Sequence, residues 1–355
     1  MDRRGIDRRE VLKLTVGAAF AGLLAGCGGG DDNDANGVSK MLTFTSVTTA
    51  DGVRLNVVET GNPQGPAIVF VHGISQSWLS WIAQLADPGL RAKYRLIAFD
   101  LRGHGASQGS QVALDADGVP YAALADTAYN NGNVAGTAAL WAGDLQAVLT
   151  GLALSAPTVV GWSYGGCVLL DYIGSHAGLG GIGKAVLLAT SPVLLSPGTA
   201  DGGADTVFSG ATIGALLATT TLNPFSGHVN THAEIAGGLS GFVELCYQDD
   251  LGRAAPSAAQ VQGVTGFNLF TPAAVRLDII GRAFDYRATL AALSAADKAR
   301  VRVIVPLGDK VLQPANTRTY WASTGLAVDT VAGEGHLYHY RNAADFSGRL
   351  VSLAG

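Results

Sequence analysis

The sequence predicts an α/β fold, a mostly parallel sheet of about eight strands with helices on both faces and a helical lid insertion. Three observations lead there. Short apolar runs alternate with helix-length stretches along most of the chain. One of those runs, Ala67–Val71, is apolar at every position, as expected of a strand covered on both faces. Another, from Thr158, stops in Gly161-Trp162-Ser163-Tyr164-Gly165-Gly166 and continues as a helix-like stretch over 167–173, which reads as strand, tight turn, helix. The 355 residues are 48% hydrophobic and 14% charged, enough apolar material for one large domain with an insertion and too much for a disordered chain. The net charge of −5, with no basic run beyond the N-terminal segment, argues against a nucleic-acid partner.

Residues 1–26 read as an export signal: Arg8-Arg9-Glu10-Val11-Leu12-Lys13 precedes an apolar stretch over 14–26. It resembles the twin-arginine pattern, with Val11 where a Phe is more usual. The stretch falls short of the roughly 20 residues that span a bilayer. It closes in Leu24-Ala25-Gly26-Cys27, which resembles a bacterial lipobox; that resemblance implies that Cys27 is lipidated and holds the exported protein on the periplasmic or cell-surface side of a membrane. Residues 27–40, rich in Gly and Asp, have nothing to bury and read as a flexible tether. Their acids lack the spacing of a calcium loop. No other metal cluster and no phosphate-binding loop is visible, so no cofactor is expected.

The body of the chain follows in order. Runs at 42–48 and 53–59 flank the Asp51-Gly52 turn signal and predict a hairpin. The strand Ala67–Val71 ends in His72-Gly73; residues 78–86 read as a helix, 94–99 as a strand and 141–152 as a helix before the strand at Thr158. Strands at 184–189, 301–307 and 327–331 complete the sheet. Two stretches interrupt this pattern: 108–136, rich in Ala, Asn, Gly and Asp, and 192–285, helical without strand alternation. An insertion after a sheet strand lies over the strands' carboxyl ends, where open α/β sheets bind ligands. The second stretch therefore reads as a lid, leaving 41–191 and 286–355 as the core. Cys167 and Cys246 are expected to be free thiols, Cys167 buried in the helix after Ser163.

The chemistry collects from distant parts of the sequence. Ser163 sits on a G-x-S-x-G turn that holds a nucleophile clear of a sheet. A serine hydroxyl needs an imidazole to take its proton. His336, in Gly333-Glu334-Gly335-His336 after the last strand, is placed for that; His339 is its nearest rival, while His176, His228 and His232 suit the surface. Asp309, just past the strand at 301–307, is placed to orient the base, and the order Ser163, Asp309, His336 is that of this kind of triad on such a sheet. Oxyanion donors are expected at the backbone N–H groups of Tyr164 and Ile74. His72 reads as a brace for the Gly73 loop. Trp162, Trp78, Tyr164 and the apolar residues of 207–222 suggest a mainly apolar acyl pocket.

His72-Gly73, Asp100-Leu101-Arg102-Gly103-His104-Gly105-Ala106-Ser107, Gly161-Trp162-Ser163-Tyr164-Gly165-Gly166, Gly308-Asp309 and Gly335-His336 together resemble the landmarks of the α/β-hydrolase superfamily, over about residues 42–355. The resemblance implies a hydrolase whose triad is shared by esterases, lipases, lactonases, C–C bond hydrolases and cofactor-free haloperoxidases or perhydrolases. Ser163 stands where haloalkane dehalogenases and epoxide hydrolases of the superfamily carry an aspartate. A lipase-type His-Gly-Gly-Gly run is absent, since Ile74-Ser75 follow Gly73. The expectation is an esterase acting on a small or medium carboxylic ester, with peroxide-using or lactone- and C–C-cleaving enzymes as alternatives in the same fold. A surface-anchored binding protein without chemistry is the alternative from another class.

Overall fold

The computed structural model describes residues 42–108, 133–220, 223 and 226–355. The segments expected to be a leader and a tether, Cys27 with them, and residues 109–132 lie outside these.

The hairpin forms first. Strands β1 (Thr43–Thr48) and β2 (Arg54–Gly61) pair antiparallel from Thr43↔Glu59 to Thr48↔Arg54, and Gly52 takes φ 85° in the turn. Strand β3 (Ala67–Val71) leads into a 3-10 turn, Trp78–Trp81, and helix α1 (Ile82–Ala86). One continuous helix was expected over 78–86. The tighter turn has three residues per turn, which sends Trp78 and Trp81, both fully buried, to the same side. A further helix not anticipated from sequence, α2 (Pro88–Lys93), starts where Asp87 accepts a hydrogen bond from the Leu90 N–H and Pro88 takes the first helical position. Strand β4 (Arg95–Phe99) follows. Helix α3 (Asn133–Gly151), which begins earlier than expected, then leads to β5 (Thr158–Trp162) and α4 (Tyr164–Ser175). Strand β6 (Lys184–Leu188) closes the first half.

Residues 192–285 are not wholly without strand. The two-residue strands β7 (Val193–Leu194) and β8 (Phe284–Asp285) pair antiparallel, clasping the two ends of the segment together. Two pairs are too short to leave an alternation in the sequence. Between them run helices α5 (Ala204–Val207), α6 (Gly210–Ala218), α7 (His232–Tyr247), α8 (Ala258–Leu269) and α9 (Ala273–Ile280). Reciprocal capping boxes, Thr231 with Glu234 and Ser257 with Gln260, satisfy N–H groups at the starts of α7 and α8. The chain returns through α10 (Arg287–Ala291), α11 (Ala295–Ala299), β9 (Val301–Pro306), α12 (Pro314–Ala322), β10 (Ala327–Val331), α13 (Tyr338–Arg341) and α14 (Ala343–Ala354).

The sheet has eight strands in the order β1-β2-β4-β3-β5-β6-β9-β10, parallel from β4 onward and antiparallel at β1–β2 and β2–β4. Strands β3, β4, β5 and β6 are buried almost throughout, the pattern of strands covered on both faces. Helices α3 and α4 pack together, with α4 against β3, β5 and β6, while α1 packs on α14 and β2. The parallel strands all end on one edge, so Val71, Trp162, Leu188 and Pro306 deliver their following loops to the same side. Among the described residues no helix is long and apolar enough to cross a membrane. Cys167 and Cys246 are both free thiols.

Candidate active site

One residue separates β5 from α4, and it carries the whole reversal of the chain. Ser163 adopts φ 54° and ψ −120°, a conformation uncommon for a residue with a Cβ. The flanking glycines permit it: a Cβ on Gly161 would strike the Gly165 carbonyl, and one on Gly165 the carbonyls of Val71 and His72. The Ser163 N–H donates to the Leu188 carbonyl (2.9 Å), which ties the turn to the end of β6.

His336 and Asp309 arrive on loops sewn to each other. The Gly308 N–H donates to the Glu334 carbonyl (2.8 Å) and the Leu307 N–H to the Val331 carbonyl (2.9 Å). Arg253 grips the Glu334 carboxylate with both terminal nitrogens at 2.6 Å. The Trp162 indole donates to the His336 carbonyl (2.9 Å). Held this way, His336 Nε2 lies 3.0 Å from Ser163 Oγ and Nδ1 lies 2.7 Å from Asp309 Oδ2. The other Asp309 oxygen accepts from the N–H groups of Val311 (2.8 Å) and Leu312 (3.0 Å). A carboxylate fixed by three donors holds the imidazole proton on Nδ1 and leaves Nε2 free to accept one from the serine.

The loop after β3 rests on two neutral histidines. The Leu101 N–H donates to His72 Nε2 (3.0 Å), so His72 carries its proton on Nδ1 and donates to the Gly73 carbonyl (2.8 Å). His104 repeats the device: its Nε2 accepts from the Ser75 N–H (3.2 Å) and its Nδ1 donates to the Arg102 carbonyl (2.9 Å). Burial holds His72 well below the usual histidine range and brings His104 down to about 4. Asp100 takes the Trp78 N–H on one oxygen (2.8 Å), and Ala106 N–H and Asn56 Nδ2 on the other (both 3.0 Å); burial lifts it to about 6. Thus anchored, Ile74 faces the same cavity as Ser163 and Tyr164. The Tyr164 N–H, at the first position of α4, has no intrahelical acceptor.

That cavity measures about 460 Å³. Its walls are mostly apolar and come largely from the 192–285 segment, including Leu194, Phe208, Leu216, Phe242 and Ile280, with Val311 and Leu312 from the Asp309 loop. A larger and more open hollow, about 680 Å³, is bordered by Arg253, Lys310 and Arg341. It shares no wall residue with the Ser163 cavity, and its cations are already paired with Asp249, Asp250 and Glu334.

Residues 68–349 match the alpha/beta hydrolase family. The chain belongs to the alpha/beta hydrolase family. Its relatives include a non-heme chloroperoxidase of Kitasatospora aureofaciens, 35% identical over 171 residues that make up 48% of this chain and 53% of that protein. A bifunctional epoxide hydrolase of Rattus norvegicus is 45% identical over 62 residues, 17% of this chain and 10% of the relative. The chain therefore spans about half the length of the first and a tenth of the second. Among solved structures, an esterase from a Rhodococcus species superposes with a TM-score of 0.67 at 25% identity, covering 88% of this chain and 99% of the esterase. A bromoperoxidase from Bacillus anthracis gives 0.63 at 19%, covering 88% and 99%.

Several expectations change within this alpha/beta hydrolase. Trp162 and Trp78 do not line the cavity. Trp162 is turned toward the His336 and His339 rings, with centroids 5.5 and 4.6 Å away, and shapes the site by holding the His336 loop. Trp78 is fully buried with its ring edge-on to Phe44 at 5.6 Å. Leu222 lies outside the described residues, but Val207, Ile213, Leu216 and Leu217 of the same stretch do line the cavity. His339 is fully buried between Trp81 and Trp162, and burial lowers it to about 3. His228, His232 and His176 are exposed. Sequence reasoning missed the joint hold of Asp100 and His104 on the Gly73 loop, and missed Arg253. The polar density of 100–107 was the available signal for the first two. Arg253, 81 residues from its partner Glu334, left none. Among the described residues no cluster of His, Cys, Asp or Glu could hold a metal.

Proposed function

We propose that the chain is a serine hydrolase that cleaves a small to medium carboxylic ester through an acyl-enzyme on Ser163. The observation that carries this reading is the 3.0 Å approach of His336 Nε2 to Ser163 Oγ at an apolar cavity, with Asp309 2.7 Å behind the imidazole. Ser163 Oγ attacks the ester carbonyl while its proton passes to His336 Nε2. The N–H groups of Ile74 and Tyr164 receive the oxyanion, each worth on the order of 3 kcal/mol to the transition state. The C–O bond breaks and the alcohol leaves with the proton from His336. Water, deprotonated by the same imidazole, then attacks the acyl carbon and releases the acid and the free serine. Asp309 stabilises the imidazolium in both halves.

A cavity of this size, within the usual range of ligand sites, suits a medium acyl chain, and helices α5 to α9 serve as its lid. Likeness to the non-heme chloroperoxidase favours a second outcome at the same acyl-enzyme, attack by hydrogen peroxide to give a peracid. The serine at the elbow favours acyl transfer over the epoxide opening named for the shorter match. We also propose export and lipid anchoring at Cys27; Cys27→Ser should abolish incorporation of a labelled fatty acid.

A fluorophosphonate probe tests the core of the reading: it should label the wild type and spare Ser163→Ala. A panel of p-nitrophenyl esters from acetate to decanoate should then peak at a medium chain, and a peracid assay with added peroxide separates the two fates of the acyl-enzyme. An unlabelled wild type sinks the proposal and leaves the non-catalytic binding protein.

A further inference from the structure

Arg282 follows helix α9 and stands in the wall of the Ser163 cavity, yet it is only 4% exposed. Its Nη2 donates to Asp171 Oδ1 (2.6 Å), which also receives the Tyr286 hydroxyl (2.7 Å), and its Nη1 donates to the Tyr164 hydroxyl (2.7 Å). The guanidinium carbon lies 5.5 Å from the ring centres of both Tyr164 and Phe284, which are themselves wall residues. Cys167, one helical turn beyond Ser163 on α4, lines the same wall. The guanidinium thus sits among cavity residues, beside the first turn of the nucleophile helix.

Its donors are not used up. An arginine offers five N–H groups in a rigid fork, and the described residues engage two of them here. Arg282 Nε is buried with no hydrogen-bond partner among the described residues. Proteins seldom leave a buried donor unpaired, because its desolvation is then uncompensated. The surrounding wall is mainly aliphatic and aromatic, its other polar members being the hydroxyl residues Ser163, Tyr164, Thr190, Ser191 and Ser196, so Arg282 is the charged donor among the wall residues an acyl chain in the cavity meets. Asp171 already balances the charge at 2.6 Å, and a second carboxylate would face it across the same guanidinium. A neutral acceptor fits better than an anion.

We infer that Arg282 selects esters whose acyl group bears a neutral hydrogen-bond acceptor, a ketone or ether oxygen, within a few bonds of the scissile carbonyl. The inference rests on the ester-hydrolase reading above and names its substrate class. The test compares p-nitrophenyl hexanoate with the 4-oxo and 5-oxo hexanoates, each kcat/KM divided by that ester's hydroxide-catalysed rate. The wild type should favour at least one keto ester about tenfold or more, the scale of discrimination set by a charge-assisted hydrogen bond. In Arg282→Met combined with Asp171→Asn, which removes both buried charges together and keeps an acceptor for Tyr286, the ratio should fall to about one. If that double variant does not give a cooperative thermal transition, Arg282→Lys replaces it and should lower the ratio at least threefold, since lysine lacks the fork. A wild-type ratio near one, or a preference that survives in the folded variant, overturns the inference. Hydrolysis of hexanoate without keto preference defeats this inference alone. Loss of both turnover and fluorophosphonate labelling defeats the ester reading beneath it.

Discussion

At the sheet edge, side chains are placed by main-chain bonds: the Ser163 N–H is fixed to Leu188, the Asp309 carboxylate to Val311 and Leu312, and the His336 loop to the Asp309 loop through Gly308 and Glu334. In the 192–285 segment most of the cavity wall is made by side chains of helices and their flanking loops, tied to the core's main chain at a few points, Val207 and Ser209 to the 311–313 loop and Asp250 to Gly333, and two strand pairs join the ends of the segment. Arg253 and Arg282 bridge the regions, Arg253 to Glu334 and Arg282 to Asp171 and Tyr164. Under the proposed ester-hydrolase reading, the difference teaches a division of labour. Proton transfer requires atoms held within a few tenths of an ångström, which strand ends supply, whereas accommodating an acyl chain requires shape, which helical side chains can vary without moving the sheet.

The sharpest way to break that division is at the edge. Ser163→Ala and His336→Ala should each lower kcat on p-nitrophenyl butanoate by about 10⁴-fold or more, and Asp309→Asn by about 10³- to 10⁴-fold, with KM little changed. A loss under tenfold for the serine or histidine variant would remove the chemistry from this edge. A smaller effect should follow from changing only shape: Leu216→Trp, filling the cavity from α6, should cut kcat/KM for octanoate by about 30-fold and leave acetate within about threefold. Equal losses on both esters would mean that the segment supports catalysis rather than chain length.

The third prediction concerns stability and sharpens the comparison through histidines. Those buried in the core, His72, His104 and His339, are held neutral, while His228 and His232 of the helical segment are exposed. A histidine whose folded value is depressed contributes stability that is present above about 6.5 and lost as pH falls through the folded value, about 4 for His104. Asp100, raised to about 6, runs the other way: its contribution is full below the ordinary carboxylate range and is lost as pH rises through 6. Against His104→Gln, which has no titration, the wild type's advantage in urea unfolding should shrink by about 1.4 kcal/mol per pH unit between pH 6.5 and 4. A gap independent of pH would show that His104 is not buried neutral.

Much of the core was legible because its signals are local. A continuously apolar run marks a two-sided strand, and glycines either side of Ser163 mark a bend that no Cβ would allow. The split of 78–86 was not legible, since a 3-10 turn and an α-helix share a similar apolar pattern over so few residues and the choice falls to burial of Trp78 and Trp81. Trp162 could be numbered beside the nucleophile, but not aimed; its direction is set by the His336 carbonyl, 174 positions away.

The sequence by itself determined the alternation of strands and helices and the strained turn at Ser163, because each depends on residues adjacent in the chain, and the order in which Asp309 and His336 follow is read directly off the chain. The tertiary structure alone decided that these three side chains stand within 3.0 Å of a neighbour, that Trp78 and Trp162 face away from the cavity, and that Arg282 enters its wall. Those outcomes depend on packing between segments well separated in the chain, from 27 residues for Asp309 and His336 to 174 for Trp162 and His336, where no local propensity reaches and only the closed sheet and the helices laid across it set the distances.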